Sequence, residues 1–486
     1  MITFRAPPKV LTRTQFLGLS LAIFALSAAT VIYQLGKPSL WVDEAYTWFF
    51  VSMPWAKMVE AVRIDAVNPP FYYVFAKVFT DVLGTSEAML RAPSVVAYMA
   101  GLIGSLWVGY QLEGRLGAIA SGWFWGFHPM LIWFARDARP YSLAATLSVL
   151  GLGLFLHMMG SERLSGRDTG LSLATVSIGL VSHYFFMLFA ILTGLISTAE
   201  IRNRRRFFRA WAVVLLIGAV PLLLWLWWFF QLPTPSFGIG WISKPPLTAI
   251  GGTLWNLVSG YGAAFDWGSL VFGMVAGVLI AAGIGEHWKW VGLTVVLPVG
   301  AVWAFSQYRP VYVDRYFIVL IPFLLPAIAG GARRVIERWQ GSIARFRWVG
   351  TYVGAILLLL AMLGAIHAVH TQPAYKKEQW RQVASWLNRA PAGTEVLMSE
   401  PELTLPLSYY APDLSPAGLI GTTPCGSMCV WILRQPYTYA HAFSQSVHDP
   451  ARDSWRPQVP ANCQVLDDQR WESGLETRML ACSSNG

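Results

Sequence analysis

Two neighbouring carboxylates, Asp43 and Glu44, stand in the segment LWVDEAYTWFF, directly after a long apolar run. Such a pair at a membrane–water boundary suits the deprotonation of an acceptor hydroxyl. Adjacent residues on a helix point about 100° apart, so one faces a substrate and the other orients it or hydrogen-bonds. A plainer alternative has Asp43 cap a helix that begins at Glu44. A second cluster, Ala135-Arg136-Asp137-Ala138-Arg139-Pro140-Tyr141, forms a tight turn between two apolar runs. Arg136 and Arg139 can grip a phosphate by bidentate bonds, with Asp137 orienting one guanidinium. An ordinary snorkelling turn is the bland alternative. His183-Tyr184, Asp314-Arg315-Tyr316 and Arg91 with Pro93 lie at further run ends. On one surface these groups make a phosphate site beside a carboxylate base, which is the equipment for sugar transfer from a lipid phosphate.

Membrane helices must position them. Of 486 residues, 55% are hydrophobic and only 13% charged, against about 25% charged in soluble domains. That excludes a soluble globular enzyme, a disordered chain and a collagen-like fibre. Residues 15–35 form an uncharged apolar run after Arg5, Lys9 and Arg13. It is longer than the roughly 7–15 residues of a signal core and reads as an uncleaved anchor. Further runs fall at 89–110, 117–134, 141–159, 171–182, 185–199, 211–230, 268–284, 291–306, 316–332 and 348–369, about eleven spans in all. With the N-terminus cytoplasmic, the cytoplasmic pieces hold 17 basic and six acidic residues, the outer loops ten and nine, and the tail from 371 nine and eleven. The net charge of +10 is therefore an orientation signal and not a mark of nucleic-acid binding.

Two apolar stretches, 71–84 and 247–265, are too short or too broken by Gly to span. Lys77 and Asp81 share one face of the first, which reads as an interfacial helix with Asn68 as its N-cap and Pro69 as its first residue. Mid-depth ionisable residues and inverted repeats, expected of a transporter or flippase of lipid-linked sugars, are not evident. Nor is there a G-x-S-x-G elbow, a Walker loop, an H-E-x-x-H or a Rossmann fingerprint. A donor activated in advance explains that.

The sequence divides into a membrane domain, 1–370, and a soluble tail, 371–486. All four cysteines, Cys425, Cys429, Cys463 and Cys482, lie in the tail. Their clustering suggests disulfide staples in an oxidising compartment, with three connectivities open. A zinc site with His441 and His448 is the rival. Residues 376–390 carry helical apolar spacing at Trp380, Val383, Ala384, Trp386 and Leu387, and 395–400 read as a buried strand. None of the six Asn begins an N-x-S/T sequon, which suits a bacterial exported tail.

Seven pieces in order, WVDEAYT (41–47), NPPFYYVFAK (68–77), LRAPS (90–94), HPMLIWFARDARPYSL (128–143), SHYF (182–185), DRYFIVLIP (314–322) and KEQWRQVASWL (377–387), resemble the polytopic GT-C glycosyltransferases. The likeness is to the bacterial branch related to protein O-mannosyltransferases and aminoarabinose transferases, family 39-like. The resemblance implies a mainly α transmembrane bundle of GT-C type, with interfacial helices in the first outer loop; the helix–strand order of the tail adds a small extracytoplasmic α/β or α+β domain. It implies an inverting hexosyl- or pentosyltransferase of the bacterial plasma membrane. Its donor is a sugar on polyprenyl phosphate, and its acceptor is lipid A, a polysaccharide or a protein. The family's aspartate maps onto Asp43 as general base, with Glu44 its neighbour; Arg136, Asp137, Arg139, Arg315 and Tyr316 fall near the lipid phosphate, where Arg91 joins them. His183, Tyr184, Asn68 and Trp41 are substrate-side candidates, though belt anchoring also explains Trp41 and Trp48. The family often has His-Pro-Pro where this chain has Asn68-Pro69-Pro70, so a role for that His does not carry over. No cofactor is assigned, and a divalent metal is left open.

Overall fold

Helices form where the apolar runs demand internally satisfied backbone. The computed structural model describes residues 11–202, 204–261, 267–340, 344–371, 375–434, 457–471 and 475–483. In chain order the membrane portion comprises α1 (Arg13–Ile32), α2 (Val42–Val51), α3 (Trp55–Asp65), α4 (Phe71–Leu83), α5 (Glu87–Phe127), α6 (Pro129–Ala135), α7 (Tyr141–Gly160), α8 (Gly166–Leu180) and α9 (Phe186–Ala199). It continues with α10 (Arg205–Gly218), α11 (Val220–Phe229), α12 (Thr248–Ser259), α13 (Trp267–Val291), α14 (Leu297–Tyr308), a 3₁₀ segment Asp314–Leu324, α15 (Leu325–Gln340) and α16 (Ala344–Thr371).

Seven helical stretches among the described residues are long and apolar enough to cross a membrane: Arg13–Ile32, Glu87–Phe127, Tyr141–Gly160, Arg205–Phe229, Trp267–Tyr308, Asp314–Trp339 and Tyr352–Thr371. The eleven runs of the sequence divide these more finely. Helices α8 and α9, with 15 and 14 residues, fall short of the ~20 residues of a full span. The 41-residue α5 is a hairpin in all but name. Its helix breaks at Glu113-Gly114, where Gly114 takes φ 60° and ψ −145°, a region essentially closed to side-chain-bearing residues. Beyond the break the chain runs back on itself: the Tyr98 hydroxyl donates to the Gly126 carbonyl (2.7 Å) and the Trp125 indole to that of Tyr98 (3.2 Å). Arg333 of α15 ties this turn down by donating to Glu113 (3.1 Å) and Glu286 (2.8 Å).

Helices α3 and α4 form in the segment where interfacial helices were expected. Lys77 bonds Asp81 at 2.9 Å on one face of α4. The expected cap is not there: α4 begins after Pro70, and no side chain caps it. Asn68 is instead buried beside Tyr73.

The C-terminal unit is a five-stranded mixed sheet in the order β2-β1-β3-β5-β4, built from β1 (Glu395–Met398), β2 (Gly418–Leu419), β3 (Met428–Arg434), β4 (Cys463–Arg470) and β5 (Leu475–Cys482). Strand β1 lies parallel to β2 and β3, while β3, β5 and β4 pair antiparallel. Helices α17 (Trp380–Leu387) and α18 (Thr404–Tyr410) bury Trp380, Val383, Leu387 and Leu407 against Val396 and Ile432. Cys425 is joined to Cys429 and Cys463 to Cys482. With the thiols so joined, zinc has no thiolate to bind; His441 and His448 lie outside the described residues.

Helices α13 and α15 cross at backbone contact. A Cβ on Gly331 would meet the Leu279 carbonyl at 1.8 Å, and one on Gly283 the Ala327 carbonyl at 2.0 Å. Small residues at such crossings let helices approach closely in lipid. Gly331→Val is expected to cost about 2 kcal/mol or more by overpacking. Gly277→Ala on the same helix as Gly283, with nothing within 4 Å, leaves stability near wild type; thermal unfolding in detergent compares the two.

Candidate functional site

Helix α2 starts at Val42, with Trp41 at its N-cap position and no side-chain capping bond. Asp43 is therefore inside the first turn, and the capping role is set aside. Its neighbour takes a different course. Glu44 is completely buried, whereas the Asp43 side chain is 25% exposed. Arg91 grips the Glu44 carboxylate with Nε and Nη2, both at 2.7 Å. Lys377 Nζ sits 2.7 Å from the same carboxylate, and the Ala138 amide donates to it at 3.0 Å. Burial alone raises the Glu44 pKa, but Arg91 and Lys377 together hold it down, at about 2 against a usual 4.5. Asp137, also fully buried, accepts from Lys377 (2.9 Å) and from the Trp41 indole (2.8 Å).

Three expected phosphate ligands are thereby accounted for differently. Arg91 also donates to the carbonyls of Leu35, Pro38 and Ser39 at 2.7–3.0 Å. Arg136 donates to the carbonyls of Thr30, Val31 and Tyr33 at 2.6–3.1 Å. The end of α1 carries unsatisfied carbonyls and the negative end of its dipole, and Arg136 serves both. Asp137 orients no guanidinium; its cation is Lys377. Trp41 is a partner of Asp137, and Tyr184 turns away, its hydroxyl accepting from Trp225 at 3.1 Å.

The other face of α2 carries Asp43 and a second set of charged and aromatic groups. Arg315 Nη2 lies 3.6 Å from Asp43 Oδ2, and Arg315 Nε donates to the Tyr141 hydroxyl at 3.0 Å. The guanidinium also stands over the rings of Trp241 (5.5 Å), Tyr316 (5.8 Å) and Tyr141 (5.9 Å). Arg139 Nη1 donates to the Asp43 carbonyl and the Tyr73 hydroxyl, each at 3.3 Å, while its buried Nε has no partner. His183 packs against Tyr141 (5.5 Å) and Tyr316 (5.3 Å). Its Nδ1 accepts from the Phe185 amide at 3.2 Å, so Nε2 carries the proton and, buried, donates to nothing. Burial, reinforced by Arg139 and Arg315, pushes the His183 pKa down to about 3, so the ring is a neutral donor at physiological pH.

Asp65, at the end of α3, is a second carboxylate here. Burial raises its pKa; Arg139 opposes the shift and Asp43 adds to it. Sequence reasoning passed over Asp65, Tyr73, Trp241 and Lys377. Tyr73 and Lys377 both lie in segments that carry the family resemblance, but nothing in local spacing marks partners 66 and 240 residues away. Asp43 and Asp65 are the carboxylates a divalent cation would use there. Among the described residues no third His, Cys, Asp or Glu ligand atom lies with them within reach of one ion.

No family model and no curated protein matches the sequence. Solved structures do match it. ArnT from Cupriavidus metallidurans in the apo state aligns with a TM-score of 0.57 at 13% identity, over 96% of this chain and 97% of that one. The same protein bound to undecaprenyl phosphate aligns with a TM-score of 0.53 at 13% identity, over 97% and 98%. The fold is thus an ArnT-like GT-C membrane bundle with a small C-terminal sheet unit.

The two acidic neighbours should separate cleanly. Glu44→Gln strands Arg91 and Lys377 in the interior and is expected to cost about 3–5 kcal/mol. Asp43→Asn changes stability by less than about 1 kcal/mol, as for partly exposed positions. Because the folded state depresses the Glu44 pKa, its contribution is complete above pH 4.5 and is lost as pH falls toward about 2. Thermal melts of both variants over that range measure this.

Proposed function

We propose that this chain is a membrane glycosyltransferase that moves a sugar from polyprenyl phosphate to a hydroxyl acceptor, with inversion. The observation that carries the reading is the pair of buried, unpartnered N–H donors, Arg139 Nε and His183 Nε2, beside the Arg315 guanidinium. Buried donors without partners are rare and costly in a folded protein. Arg139 and Arg315 supply two guanidinium groups and His183 a neutral N–H, a donor set suited to phosphate oxygens. The whole-length fold likeness to a structure with bound undecaprenyl phosphate supports the same ligand class.

The acceptor oxygen attacks the anomeric carbon from the face opposite the phosphate, and its proton passes to the Asp43 carboxylate. The bond from the anomeric carbon to the phosphate oxygen breaks, and the electron pair leaves on the phosphate. Arg139, Arg315 and the His183 N–H stabilise that developing charge, which preorganised donors do best in a site shielded from water. A lipid phosphate leaves readily and needs no general acid. We place the site on the outer face of a bacterial plasma membrane, as the loop charges indicate.

Asp43→Asn, expressed at normal levels, is expected to lose transfer by about 100-fold or more; near-wild-type turnover refutes the base assignment. Arg139→Gln and Arg315→Ala should each weaken donor use by about 10-fold or more, since a charge-assisted bond is worth roughly 1.5–3 kcal/mol. His183→Gln, which keeps a neutral N–H, should retain more activity than His183→Ala. Turnover with purified polyprenyl-phosphate sugar and radiolabelled product checks all four.

A further inference from the structure

Helix α2 has no N-terminal cap of its own, although the reading of Asp43 as base requires this helix to be held firmly. What holds it comes from the other end of the chain. The Val42 amide, a free donor of the first turn, bonds Glu378 Oε2 at 3.2 Å. A carboxylate there satisfies both the orphan N–H and the helix dipole. Glu378 is fixed in turn by the Trp380 indole at 2.7 Å. The Tyr410 hydroxyl accepts from the Leu40 amide at 2.7 Å, and Arg381 donates to the Lys37 carbonyl at 2.8 Å. One turn further, Lys377 Nζ enters between Glu44 (2.7 Å) and Asp137 (2.9 Å) and also donates to the Arg136 carbonyl (3.0 Å).

We infer that Lys377, with Glu378, is a positioning residue: the C-terminal unit reaches into the membrane domain through these two side chains and sets the orientation of the helix that carries Asp43. This rests on Asp43 acting as the base. The buried knot of Glu44, Asp137, Arg91 and Lys377 balances two negative charges with two positive ones. Without Lys377 one negative charge is left uncompensated in a low-dielectric site, which is far costlier than taking up a proton. Asp137 takes it, because Glu44 keeps its bidentate Arg91. Asp137 is faced by Lys377 from one side, by Trp41 and Glu44 from the start of α2, by Arg91 from α5, by Tyr72 from α4 and by Tyr141 from α7, with Arg136 and Arg139 on its own turn. The other cations of that shell are engaged elsewhere: Arg91 and Arg136 on carbonyls, and Arg139 through Nη1 on the Asp43 carbonyl and the Tyr73 hydroxyl.

The test uses the full-length protein in detergent or nanodiscs. Lys377→Met should cut kcat by about 10-fold or more near pH 8 with KM for the donor changed less than about 3-fold, and should recover toward wild type near pH 6 as Asp137 holds a proton. Lys377→Met with Asp137→Asn restores the charge balance and is expected to return kcat at pH 8 to within about 3-fold of wild type. The Tm of Lys377→Met should fall from pH 6 to pH 8 relative to wild type, and that of the double variant should not. Wild-type kcat for the single variant at pH 8, or a folded double variant that stays as impaired as the single one, overturns the inference. If wild-type protein transfers no sugar at all, the glycosyltransferase reading fails by itself. A pH-independent Tm difference for the single variant then still overturns the charge knot.

Discussion

A carboxylate placed wholly out of water must be neutralised and hydrogen-bonded, or it will not stay ionised. Glu44 is such a group, and much of the site depends on how it is satisfied. It draws Arg91 from α5, Lys377 from the C-terminal segment and a backbone amide from the turn before α7. Three remote parts of the chain are thereby fixed relative to α2. Once Glu44 is pinned inward, helical geometry turns Asp43 outward toward Arg315 and Arg139. The pair of acids thus splits into one member buried in the scaffold and one left partly exposed.

The arginines divide by the same logic of satisfaction. Arg91 and Arg136 have most of their donors on backbone carbonyls, including those left open where α1 ends. Their charge strengthens the scaffold, and little of it is left to bind a ligand. Arg139 keeps a buried Nε without a partner, and Arg315 lies among the rings of Trp241, Tyr141 and Tyr316. Unsatisfied donors cost stability, and they persist here because the packing around them is over-determined. Tyr316 and Tyr141 wedge His183 in place, and Asp314 anchors the start of the 3₁₀ segment by accepting from the Arg315 amide and from Asn256.

The membrane portion supplies rigidity at a distance. The turn of α5 at Gly114 brings Arg91 and the segment leading to Arg139 into register, and the contact of α13 with α15 leaves no room for side chains at Gly283 and Gly331. The C-terminal unit is joined to this body by buried polar contacts as well as by the shared packing of Val42 with Trp380 and its neighbours. The fold likeness covers 96% of the chain and so takes in this unit.

Much of the scaffold was legible from local chemistry. The apolar runs, the short segment at 71–84, the spacing of Trp380 to Leu387 and a buried strand within 395–400 all follow from periodicity, which acts between near neighbours. So does the presence of reactive groups at the ends of the runs. What local chemistry could not decide is which of those groups are consumed by the structure. Arg136 and Arg139 are three residues apart and read alike in sequence, yet one meets the carbonyls at the end of α1 and the other meets Asp43 and Tyr73. Asn68 looked like a cap and is not one, because Pro70 opens the helix. Asp65 and Lys377 gave no signal, because their meaning lies in partners on other elements. Residue types and run ends were determined by the sequence itself. The division into scaffold and site was decided only by tertiary structure, because electrostatic satisfaction in a buried site depends on distances that chain order does not contain.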